Sequence, residues 1–190
     1  MAANGGRHRF GPDGGRLTLR TYRTGLAAQA GHDLTIEVTR WSGELDGDDH
    51  APARLQAHID MGSLQIREGM GGVKPLTDRD RREIAATARK QLEADKHPEA
   101  TFVAEQFEPD GNGGGIVIGM LTLHGRTHPF RLQVSKNGEG RYRATGTVVQ
   151  SQFGIKPYSG MFGALRLRDA VDVEADVDLS EPAGATGTDG

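Results

Sequence analysis

Seven histidines are the side chains in this sequence best suited to proton transfer or metal binding: His8, His32, His50, His58, His97, His124 and His128. An imidazole acts as a base only when a second group orients it. His124 and His128 lie four apart, a spacing that on a helix would aim both rings at one metal ion. Here they flank the turn dipeptide His124-Gly125 and run into Pro129, so a helix is excluded. Neither has a third ligand or an acid beside it in the chain, so the sequence predicts no metal site. His32 sits between Gly31 and Asp33 at the start of an alternating run, the setting of a structural hydrogen bond.

The other chemistry-bearing residues are weaker candidates. Asp172, Glu174, Asp176 and Asp178 alternate with valines and alanine, so they share the wet face of one strand. Catalytic carboxylates face each other across a cleft instead. Arg16 and Arg20 repeat at matching spacing, and pairing of the first and last strands would set them beside this acidic row. Residues 68–74 hold glycines and Lys74, but without phosphate-loop spacing and with Pro75 following. They read as a loop, or as a lid whose amides and Lys74 meet a polar head group. No Gly-x-Ser-x-Gly elbow and no strand-linked Gly-x-Gly-x-x-Gly occurs. The absence of cysteine removes thiolate ligands, thiol nucleophiles and disulfides.

The elements that must position these residues follow a period of two. Leu17 and Leu19, then Leu34, Ile36 and Val38, then Leu55, Ala57, Ile59 and Met61, each alternate with polar residues. So do Phe130, Leu132 and Val134, and then Val171, Val173, Ala175 and Val177. Each run is a strand with one dry and one wet face. Weaker strands are predicted over 100–106, 115–123, 141–149 and 163–168. Asn112-Gly113 and Asn137-Gly138 are hairpin turns, since both residue types accept positive φ. One segment differs: Ile84, Ala85, Ala88 and Leu92 are spaced for a helical face over residues 77–94. Thr77 or Asp78 caps it and Pro98 lies beyond its end.

The 190 residues suit one domain, and the 28 glycines, about twice the usual share, fall at the ends and between the alternating runs. The expected division is a flexible tail over 1–15, a domain over 16–179 and a flexible tail over 180–190. With 23 basic and 26 acidic residues, no surplus of positive charge exists to track phosphates, so nucleic acid is not an expected partner. No apolar run approaches the roughly 20 residues of a membrane-spanning helix. The first ten residues have no apolar core or cleavage site of a secretory signal, which places the expected chain in the cytoplasm.

Several stretches together resemble a known family. They are Gly31-His-Asp-Leu-Thr-Ile-Glu-Val38 with Trp41-Ser-Gly-Glu-Leu45, and His58-Ile-Asp-Met-Gly-Ser-Leu64. His97-Pro98 with Ala100-Thr-Phe102, Gly119-Met-Leu-Thr-Leu-His-Gly-Arg-Thr127 and Ser151-Gln-Phe-Gly-Ile155 follow in order. They are similar to the YceI-like, lipocalin-like polyisoprenoid-binding family over most of residues 16–179. Gln150 stands where that family often has Arg, and His97 where it often has an aromatic residue.

The resemblance implies an all-β fold: a single antiparallel lipocalin-like barrel of about eight strands with one α-helix. It also implies binding of an isoprenoid quinone or polyprenyl chain, without catalysis and with no other cofactor. The dry faces then predict a cavity wall of Leu34, Ile36, Val38, Leu55, Ile59, Phe102, Leu121, Leu123, Phe130, Leu132, Phe153 and Val173. His32, Lys74 and His124, near strand ends, are the candidate head-group contacts, and the apolar loop 158–162 is placed near a mouth. Two alternatives stay open: an enzyme using the cavity with His32, His124 or His128 as base, and a barrel filled by side chains that serves as an interaction protein. The sequence also leaves a homodimer open.

Overall fold

The structure, a computed structural model, describes residues 6–47 and 52–180. The strands are β1 (Arg7–Phe10), β2 (Gly15–Thr21), β3 (Arg23–Thr24), β4 (His32–Val38), β5 (Trp41–Gly47), β6 (Pro52–Asp60) and β7 (Leu64–Gly71). After the helix α1 (Asp78–Gln91) come β8 (Glu99–Pro109), β9 (Gly115–Leu123), β10 (Arg126–Gly138) and β11 (Arg141–Val149). The last strands are β12 (Ser159–Gly160), β13 (Leu165–Leu167) and β14 (Ala170–Asp178). Eleven of them form one curled antiparallel sheet in the order β1-β5-β6-β8-β9-β10-β11-β14-β2-β4-β7. The first long strand pairs with the last, Arg20 opposite Asp172 and Arg16 opposite Asp176, as the two charge rows predict.

The curl is closed at a corner, not by a ladder between its edges. Residues 32–47 and 52–71 form one long hairpin, paired from His32↔Gly71 to Gly47↔Pro52. It bends between Val38 and Trp41 and between Asp60 and Leu64, so each half joins a different flank of the sheet. Ser63, 3% exposed, holds the bend. Its hydroxyl donates to the Asp60 carbonyl at 2.8 Å and accepts from the Arg40 amide at 3.0 Å. The Thr39 amide donates to the Ser63 carbonyl at 3.1 Å. Arg40 then pairs with Asp60 at 2.8 Å, which holds the Asp60 carboxyl below its ordinary range.

The main sheet therefore has more strands than the eight or so expected. The bend divides each arm of the long hairpin in two, because residues 39–40 and 61–63 leave the ladder. β1 is a second addition. Residues 7–10, expected within a flexible tail, pair with β5, and Gly15 already belongs to β2. What seats β1 is Phe10, whose ring lies over Gly43, where any Cβ would fall 2.1 Å from the ring. The Trp41 ring follows at 6.1 Å. The rest of the expected tails, residues 1–5 and 181–190, lie outside the described residues.

The helix is slightly shorter than the predicted 77–94. Thr77 caps it in a reciprocal box with Asp80. Ile84, Ala85, Ala88 and Leu92 pack on the cluster of Leu17, Leu34, Ile36, Val38, Leu64 and Ile66. A second cluster centres on Phe102, Val117, Leu121, Leu123 and Phe153. α1 begins beyond the end of β7 and its exit meets the β9–β10 turn, so it bridges one end of the barrel. At that end lie residues 22–31, 72–77 and 150–169. The opposite end carries the tight turns 110–114 and 139–140.

Candidate functional site

The inward faces do not meet in the middle. A cavity of about 980 Å³ runs between them. Its lining extends from Gly31, His32, Lys74, Tyr158 and Leu165 at the loop end to Pro109, Gly113 and Leu179 at the turn end. Ile84, Ala88 and Leu92 of α1 supply part of the wall. Leu34, Ile36, Val38, Leu55, Ile59, Phe102, Leu121, Leu123, Phe130, Leu132 and Val173 all line it. They do so because each has the same parity along its strand and the sheet curls toward that face.

Phe153 is the exception. It lies in a short 3-10 turn, Gln150–Phe153, 1% exposed, with its ring edge-on to His128 at 5.1 Å. It packs the core behind the wall and does not line the cavity.

Several polar groups of the cavity lie at the loop end. His32 Nε2 donates to the Lys74 carbonyl at 2.9 Å, so the ring ties the 72–77 segment to β4. Lys74 lines the cavity beside it. Thr21, which sequence reasoning missed, is 7% exposed, lines the cavity opposite Leu34 and has no hydrogen-bond partner for Oγ1 among the described residues. An unmatched buried hydroxyl costs about 1–3 kcal/mol. The signal was present: Leu17, Leu19 and Thr21 share one parity, and Thr21 is the polar member. Trp41 Nε1, also unpartnered among the described residues, lines the cavity far from the loop-end groups, with its ring against Gly15 at the start of β2. The 158–162 loop lies at the loop end, with Tyr158 in the lining and Phe162 fully exposed.

His124 departs from expectation. It is not part of the cavity lining. Its Nδ1 lies 3.1 Å from the Phe153 carbonyl and its Nε2 2.7 Å from Glu93 Oε2. The His97 ring stands 4.7 Å from its ring, whereas His128 turns to Phe153. The fold thus gives His124 the acid and the third ligand whose absence argued against a metal, from residues 31 and 27 positions upstream.

A YceI-like domain model matches residues 17–179. A UPF0312 protein of Pseudomonas savastanoi pv. phaseolicola is 29% identical over 125 residues, covering 61% of this chain and 60% of its own length. The chain thus spans less than two-thirds of that curated relative. Among solved structures, Burkholderia cenocepacia BcnA superposes with a TM-score of 0.60 at 18% identity, over 86% of this chain and 94% of its own. A polyisoprenoid binding domain from Saccharophagus degradans gives 0.53 at 12% identity, over 92% and 99%. At these identities the likeness concerns the fold. No helix among the described residues is long and apolar enough to cross a membrane.

Proposed function

The chain belongs to the YceI-like domain family, and from that premise we propose that it binds an isoprenoid-type lipid, a quinone or polyprenyl chain, for carriage or storage without chemical change. The observation that carries this reading is the cavity, walled along its length mainly by Leu, Ile, Val and Phe, with His32, Lys74 and Thr21 at its loop end. Its volume of about 980 Å³ stands at the upper end of ordinary ligand sites. A methyl-studded tail offers no hydrogen bonds, so it suits a wall of Leu, Ile, Val and Phe. Burying ~500 Å² of such a tail is worth on the order of 12 kcal/mol before ordering and association costs. Thr21 Oγ1 and Lys74, at the loop end, are the groups a carbonyl or phosphate head would meet. The likeness of fold to a polyisoprenoid binding domain supports the same class of ligand.

The histidine-base reading has less behind it. His32 already donates to a backbone carbonyl, and His124 lies outside the cavity. The test is mass spectrometry of an organic extract of natively purified protein, followed by titration of stripped protein with an isoprenoid quinone. A stoichiometric prenyl lipid and saturable rebinding are expected. An empty extract together with no saturable uptake would sink the proposal.

A further inference from the structure

Glu93, His97 and His124 each offer one ligand atom, and these atoms lie within 4.8 Å of one another. The site is outside the cavity, where the exit of α1 meets the β9–β10 turn. Glu93 stands just past the helix with φ 46°, and His124 opens the two-residue turn with φ 52°. Both occupy left-handed positions that glycine or asparagine usually fills. His97 reaches the pair because its partner in that turn is Gly125, where a Cβ would stand 3.0 Å from His97 Cε1.

A group outside the trio orients His124. The Phe153 carbonyl can only accept, so the Nδ1 atom 3.1 Å away carries the hydrogen. A neutral ring then presents a lone pair at Nε2, and that lone pair faces Glu93 Oε2 at 2.7 Å. Two acceptors at this distance are the arrangement that a metal ion between them would hold together. Backbone support of the second ring nitrogen is what metal-bound histidines ordinarily have. We infer that Glu93, His97 and His124 form a binding site for a divalent transition-metal ion of the zinc class. Two imidazoles and a carboxylate make a three-ligand set that leaves a fourth position open. Tetrahedral bonds of 2.0–2.1 Å hold ligand atoms about 3.3 Å apart, so the 2.7 Å pair opens by about 0.6 Å on metal entry. The Glu93 side chain, 49% exposed, is free to make that movement.

The test titrates tag-free, chelator-washed protein with Zn²⁺ against a chromophoric chelator, and with Co²⁺, whose visible absorption reports coordination. One ion per chain is expected. Loss of an outer supporting group alone weakens metal sites 10–100-fold, so Glu93→Gln and His97→Ala should each weaken binding by at least about 100-fold. His58→Ala, outside the trio, should bind as the parent does. Glu93→Gln keeps size and is exposed, so circular dichroism should find it folded. Absence of saturable uptake at one ion per chain, or uptake indifferent to both substitutions, overturns the metal assignment.

Discussion

At one end of the barrel the strands are joined by tight turns and stitched by charge. Asp110 accepts from the amides of Asn112 and Gly114, Arg141 pairs with Asp178 at 3.2 Å, and Arg143 with Asp176 at 2.8 Å. At the other end, longer segments leave Leu26, Met70, Val73, Met161 and Phe162 in water. Val73 precedes the lining residue Lys74, and Met70 pairs with Asp33 beside His32. Met161 and Phe162 belong to the loop that begins at Tyr158, and the residue after Leu26 bonds Ala164, next to Leu165. The cavity thus has one end bounded by tight turns and one end with greasy lips and the unsatisfied Thr21 hydroxyl behind them. The difference assigns direction to the proposed ligand: tail toward the turns, head and entry at the loops.

The largest expected effect comes from spoiling the shared interior. Ile36→Asp places a charge amid the apolar wall and should abolish quinone binding, a loss of at least about 100-fold. Leu132→Asp, in a half-buried wall position, serves as companion if the first variant misfolds. A folded variant of either kind that binds normally would refute the tail assignment. Next come the lips. Replacing Leu26 and Phe162 together with serine should slow uptake from vesicles by about tenfold, equivalent to roughly 1.4 kcal/mol of barrier. Equilibrium affinity should hardly change, and a stopped-flow quenching assay separates the two. If uptake keeps its rate, entry is elsewhere.

Smaller effects test where the head lies. Thr21→Val should weaken a quinone by about 1 kcal/mol and leave a headless prenyl hydrocarbon unaffected. Lys74→Ala should cost up to about 1 kcal/mol and lose its effect in high salt. Calorimetry with both ligands checks these, and equal losses for both would move the head group away from the loop end. Smallest is a stability effect at the corner. The Asp60 carboxyl is held below its ordinary value of 3.8, first by Arg40. Its contribution is therefore complete above that value and is lost as pH falls through the depressed one. Asp60→Asn should lower the melting temperature slightly at neutral pH, and the difference should close in acid. A gap that persists in acid would show that the carboxylate charge is not its source.

Much of this architecture is legible in the alternation of the strands, because a period of two decides which face is dry wherever one side is buried. That rule places Ile36, Leu55 and Leu132 correctly and also carries Thr21, once a polar residue of dry parity is taken seriously. It fails for Phe153, where the chain leaves the strand for a 3-10 turn and parity loses meaning. It cannot find β1, since Arg7-His-Arg-Phe10 has one anchoring side chain and depends on the flat surface of Gly43. Nor can it assemble Glu93, His97 and His124. Their proximity comes from a helix exit meeting a turn, a tertiary fact with no periodic trace.

The pairing of β2 with β14 has a consequence for how the chain is made. It joins distant parts of the chain, and beside it the Tyr22 and Asp172 side chains bond at 3.0 Å across 150 positions. Contacts of such separation form late, because the loop must close before they contribute. During synthesis the long N-terminal hairpin can form early, but β2 and β11 keep bare edges until the final strand leaves the ribosome. Those edges carry Leu17, Leu19 and Val148, the kind of unpaired apolar strand that recruits other chains. A chain broken off before Ala170 should therefore aggregate and not fold to a looser barrel.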